Sequence, residues 1–131
     1  MDQFFVALKP GIYRSGSRMM ETQADGEAWT RAYDDLLEKN AALVIILDAA
    51  QRPGPEAGKP LALWLKARRD VLAAKVRLAL YVVTDAAERA AMEERSTRTA
   101  KAFPYPTAFV GSFADAEEIA ADTLDNSGPN L

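Results

Sequence analysis

The sequence predicts an α/β fold: a mixed sheet of about five strands, made by an N-terminal hairpin followed by three parallel strand–helix units, with four helices around it. Three observations carry this prediction. Residues 41–49, Ala-Ala-Leu-Val-Ile-Ile-Leu-Asp-Ala, are almost uniformly apolar, β-branched at Val44, Ile45 and Ile46, and stopped by a carboxylate at Asp48. A run that short without polar alternation is buried on both faces, as in a parallel strand covered by helices. Residues 76–83, Val-Arg-Leu-Ala-Leu-Tyr-Val-Val, form a second such strand. Between and around the two runs lie stretches with the helical apolar period.

In chain order, residues 4–8 read as a short strand, and Lys9-Pro10-Gly11 as a turn returning the chain through Ile12, Tyr13 and Arg14. Proline cannot donate to a sheet ladder and glycine tolerates positive φ, so both belong to the connection. Met19 and Met20, after Ser15-Gly16-Ser17, continue a strand edge or tuck under the first helix, and the pattern does not choose between these. Over residues 27–39, Trp29, Ala32, Tyr33, Leu36 and Leu37 form one helical stripe, with Asp25 as its expected cap. The central strand is followed by a loop over residues 50–59, and Pro60 suits the first turn of a single second helix carrying Leu61, Trp64, Leu65, Arg68, Val71 and Leu72. Asp85 and Glu88, three apart, announce a helix reaching about residue 102, with Glu94 and Arg98 as an exposed pair. Residues 107–110 form a last strand, placed near an edge by Pro104 and Pro106. Ser112, Asp115 and Glu118 then begin a final helix with Ala116, Ile119, Ala120 and Leu124 inward. Residues 1–124 thus make one domain, and residues 125–131 a flexible tail.

Composition excludes much chemistry. Sixteen basic against nineteen acidic residues leave a net charge of −3, which gives no whole-molecule attraction for nucleic acid or anionic lipid. The basic group Lys66, Arg68 and Arg69 lacks interleaved aromatic residues and reads as a solvated helix face. Cysteine and histidine are both absent, removing disulfides, thiolate nucleophiles, imidazole bases and the commonest metal ligands. No apolar run approaches the roughly 20 residues of a membrane span, and the N-terminus lacks the basic flank of a signal peptide. The expectation is a cytoplasmic protein with no membrane span, nucleic-acid partner, metal or cofactor.

In open α/β sheets the ligand crevice lies beyond the carboxyl ends of the strands. That rule selects Tyr13, Asp48, Gln51, Arg52 and Thr84 as candidate ligand-binding residues, with Trp29 or Trp64 as apolar walls. Trp29 and Tyr33 stand at helical spacing ahead of a buried strand, which points first to packing on the sheet. Asp48 admits a role as phospho-acceptor, metal ligand or general base; structurally it caps the next turn or pairs with Arg52. Arg52 and Lys59 before Pro60 suggest an anion site at a helix start. A phosphate loop is excluded: Gly58-Lys59 is followed by proline where serine or threonine is needed. The neighbouring carboxylates Asp34 and Asp35, Glu93 and Glu94, and Glu117 and Glu118 diverge around their helices and read as solvated faces. No Gly-x-Ser-x-Gly elbow is present, so no catalytic residues are assigned.

The order of elements, with residues 42–48, 76–84 and 102–124, resembles the STAS superfamily, in particular its bacterial SpoIIAA-like branch. The local features are the strand ending in Leu47-Asp48, the junction Thr84-Asp85, and Pro106 leading to Phe113-Ala114-Asp115-Ala116-Glu117-Glu118. The resemblance implies a non-enzymatic regulatory domain binding a protein partner or a small apolar or anionic ligand. With the unpaired edges of the sheet it also implies a homodimer. In that family a serine is phosphorylated after the Asp-terminated strand; here no serine occurs between Asp48 and Arg95, so that switch is not expected. The alternative is a degenerate response-regulator receiver with Asp48 as phospho-acceptor and Thr84 as switch threonine. It lacks the acidic pair of the first strand and the terminal lysine, since Val110 is followed by Gly111.

Overall fold

A computed structural model describes residues 4–16, 19–51, 54–99 and 104–126. Its strands β1 (Phe5–Lys9), β2 (Ile12–Ser15), β3 (Leu43–Asp48), β4 (Val76–Val82) and β5 (Thr107–Val110) form one mixed sheet in the order β1-β2-β3-β4-β5. β1 pairs antiparallel with β2, and every later neighbour is parallel. The hairpin turns at Gly11, whose φ of 81° is the conformation for which glycine is suited. β5 is an edge strand, in keeping with its flanking prolines.

Five helices, not four, are found among the described residues: α1 (Gln23–Lys39), α2 (Pro55–Ala67), α3 (Arg69–Lys75), α4 (Ala86–Thr99) and α5 (Phe113–Asn126). The expected single second helix is broken at Arg68, whose φ of −102° and ψ of 11° leave the helical region. Neither glycine nor proline marks this break. Instead the Arg68 side chain is drawn onto Asp34 of α1, with Nε 3.0 Å from Oδ1. Asp34 is therefore no free solvated carboxylate, because it also accepts from Trp64 Nε1 at 2.9 Å.

α2 also begins five residues before Pro60. Pro55 takes the first helical position, where its missing N–H costs nothing, and Pro60 lies within the helix. The loop expected over residues 50–59 is correspondingly shorter. Likewise α1 starts before residue 27 and is capped by Thr22, not Asp25. Thr22 Oγ1 accepts from the Asp25 N–H at 3.1 Å while the Asp25 carboxylate accepts from the Thr22 N–H at 3.1 Å, a reciprocal capping box. The residues expected to carry α4 on to 102 lie partly outside the described set, and of the expected tail Asp125 and Asn126 belong to α5.

Strand alternation divides the core. Ile12, Val44, Ile46, Leu80, Val82 and Val110 face α5 and meet Ala116 and Ala120. Leu43, Ile45 and Val76 face the opposite side, where Tyr33, Leu36 and Leu37 of α1 and Leu72 of α3 cover them. Ile119, expected inward, is 38% exposed, because the face of α5 against the sheet runs through the alanines. On the other side α1 and α2 cross closely at Gly26, where a Cβ would stand 2.6 Å from the Ala57 carbonyl oxygen. No helix among the described residues is long and apolar enough to cross a membrane.

Candidate functional site

A cavity of about 300 Å³ opens at the carboxyl ends of β2 and β3, on the side of the sheet covered by α1, α2 and α4. Leu47 and Tyr81, adjacent in the β3–β4 register, form its sheet wall. Trp29 of α1, Leu61 of α2 and Met92 of α4 come from the helices, and Phe4, Met19 and Met20 from the segments flanking the hairpin. The polar side chains on the lining are Ser15, Asp48, Gln51 and the Tyr81 phenol.

Backbone chemistry holds these groups in place. Ser15 ends β2, and its hydroxyl accepts from the Asp48 N–H at 3.0 Å. The Asp48 carboxylate accepts from the Ala50 N–H at 2.9 Å, the local turn that aspartate favours after a strand. The Gln51 N–H returns to the Asp48 carbonyl at 3.0 Å, while its side-chain amide donates to the Gly16 carbonyl at 3.1 Å. Met20 is fixed through its carbonyl, which accepts from the Gly54 N–H at 2.8 Å just ahead of α2. Met19 and Met20 thus do not continue β2; they close one wall of the cavity, on whose lining Trp29 of α1 also stands.

Of the residues selected from sequence, Asp48 and Gln51 line the cavity, as does Trp29. Tyr13 and Thr84 are not on its lining. Tyr13 lies two positions before Ser15 along β2, where its hydroxyl accepts from Asn40 Nδ2 at 2.8 Å at the far end of α1. Thr84 is exposed beyond β4. Arg52 lies outside the described residues. Trp64 packs behind Trp29, ring centroids 5.7 Å apart at 84°. The anion site imagined at Pro60 loses its helix start, which is at Pro55, and leaves Lys59 exposed within α2.

Phe4, Ser15, Met19, Met20, Leu61, Tyr81 and Met92 were not singled out for this site by the sequence. Their common signal is weak: two adjacent methionines after a Ser-Gly-Ser break, and a methionine on an otherwise polar helix. Behind the cavity stands an aromatic cluster of Phe5, Trp29, Tyr33 and Trp64, with Tyr33 and Trp64 centroids 4.9 Å apart. Burial pushes the phenols of Tyr33, Tyr81 and Tyr105 above their ordinary pKa, so all are neutral hydrogen-bonding or packing groups at physiological pH. The buried Tyr33 hydroxyl has no hydrogen-bond partner among the described residues.

Among the described residues no group of three or more acidic side chains is gathered as a metal ion would need. Asp48 stands without a second carboxylate on the cavity lining. The arrangement can hold an apolar body and present one carboxylate, one hydroxyl and one amide to it. Set against models of protein families, curated proteins and solved structures, the chain matches none.

Proposed function

We propose that the chain is a non-enzymatic binding domain of the STAS, SpoIIAA-like kind, and that its small ligand occupies the cavity at the carboxyl ends of β2 and β3. One observation carries this reading: an apolar chamber on the crevice side of the sheet whose few polar groups are held by backbone hydrogen bonds. Turnover would require an acid and a base converging on one point. The described lining offers Asp48 as its sole carboxylate and no lysine or arginine. At about 300 Å³ the chamber lies at the small end of ligand sites.

The test is thermal denaturation with small apolar probes, 1-hexanol and indole, on the natural chain and on Ala49→Phe, whose ring would occupy the cavity. A ligand that binds only the folded state raises the melting temperature by mass action, so both probes should stabilise the natural chain and neither should stabilise the folded variant. Equal stabilisation of both proteins would move binding elsewhere and defeat the reading.

The receiver reading is favoured only by the position of Asp48 at the end of β3. With its carboxylate engaged by the Ala50 N–H and no acidic partner on the lining, magnesium with beryllium fluoride should leave the melting temperature unchanged. A magnesium-dependent rise lost in Asp48→Asn would make the receiver the better account.

A further inference from the structure

We propose that the ligand is a small organic cation, an ammonium group on a short aliphatic or aromatic body, with Asp48 as its counter-charge. The inference rests on the cavity being the binding site and adds the sign of the ligand's charge. The described lining carries one carboxylate, Asp48, and no basic side chain. Nearby described arginines are committed elsewhere. Arg14 precedes Ser15 in β2 and so points to the opposite face, its guanidinium carbon 3.6 Å from the Phe113 ring centroid. Arg89 of α4 donates through Nη1 to the Val83 carbonyl at 2.9 Å.

The remaining acceptors agree with a donor-rich head group. Asp48 Oδ1 accepts one backbone N–H, and its Oδ2 makes no hydrogen bond among the described residues. The side-chain amide of Gln51 directs its N–H to Gly16, leaving its carbonyl oxygen as the free end. An ammonium has three donors and no acceptor, the complement of a carboxylate oxygen, an amide oxygen and a hydroxyl. Around them, Trp29 and Tyr81 offer ring surface that favours a cation, and Met19, Met20 and Met92 offer polarizable walls that adapt to the attached hydrocarbon. An anion in the same place would meet Asp48 in a poorly solvated pocket and be repelled.

Calorimetric titration with three probes of equal chain length, hexylammonium, 1-hexanol and hexanoate, separates the alternatives. The natural chain should bind hexylammonium about tenfold more tightly than hexanol, the scale of exchanging a neutral hydrogen bond for a charge-assisted one, and hexanoate most weakly. Asp48→Asn keeps an oxygen for the Ala50 N–H, so the fold should survive; its preference for hexylammonium should vanish while hexanol binding persists. Added salt should weaken hexylammonium binding and spare hexanol. Hexanoate binding as tightly as hexylammonium, above all if Arg52→Ala abolishes it, would overturn the proposal and make the ligand an anion. A tenfold preference that survives Asp48→Asn would also overturn it. Hexanol binding without charge preference defeats the cation alone, whereas no binding of any probe defeats the cavity reading beneath it.

Discussion

The two faces of the sheet are covered by helices that differ in one respect. α5 sets Ala116 and Ala120, both 0% exposed, against Val44, Ile46 and Leu80. Two side chains of one carbon let the helix backbone approach the sheet closely. α4, on the other side, has no buried residue among its described positions; Arg89, Met92 and Ser96 are its half-buried ones. Its attachment includes polar ties, Arg89 to the Val83 carbonyl and Ser96 to Thr107 at 3.2 Å. A helix held this way leaves Leu47 and Tyr81 only half-buried, and the cavity lies against them. Close packing of small side chains covers one face, and a helix with no buried residue among its described positions borders the cavity on the other.

The largest effect separating the faces should come from added volume. Ala120→Leu forces a side chain into a filled interface and should cost about 1–3 kcal/mol in urea unfolding. Ala91→Leu, exposed on α4, should change stability by less than about 0.5 kcal/mol. Equal costs would erase the distinction.

How much of this was legible beforehand differs by element. β3 and β4 stood out because β-branched residues in unbroken apolar runs have few other places to go. The alanine face of α5 and the cap at Asp85, whose carboxylate accepts from the Glu88 N–H at 2.7 Å, followed from local spacing. Thr22-x-x-Asp25 carries its capping box openly in the sequence, with the threonine, not the acid, as the cap. The start of α2 was hidden because Pro55 read as a loop residue and Pro60 as the first helical turn, whereas Pro55 takes the first helical position and Pro60 lies inside the helix. The break at Arg68 has no local signal: neither glycine nor proline stands there, and the partner of its side chain, Asp34, lies 34 positions away in sequence. The cavity was half legible for the same reason. The crevice rule found Asp48 and Gln51, but the methionines, Phe4 and Leu61 meet only when separate segments pack.

A smaller effect sharpens the account of the aromatic cluster behind the cavity. Tyr33 is buried with an unpartnered hydroxyl, so Tyr33→Phe should stabilise the protein by about 1 kcal/mol, the desolvation cost removed. The pH dependence follows from the direction of the shift. Burial raises the phenol's folded pKa above its unfolded value near about 10, so the unfolded chain releases this proton first. Stability from the neutral phenol is thus complete below about pH 10 and is lost as pH rises through the folded pKa. In a difference titration of phenolate absorbance between natural chain and Tyr33→Phe, the missing phenol should ionise only as the protein unfolds. Ionisation of that phenol in the folded protein near pH 10 would contradict the burial argument.

The central claim, that the space beneath α4 is the binding site, is tested most directly by methionine-methyl NMR. Three of the chain's four methionines line the cavity, Met19 and Met20 on one wall and Met92 of α4 on another. On titration with hexylammonium their methyl resonances should shift together and saturate at one affinity, while the exposed Val6 and Ile119 methyls stay in place. Binding detected by calorimetry with these three methionines unmoved and the shifts gathered at Val6 or Ile119 would contradict it.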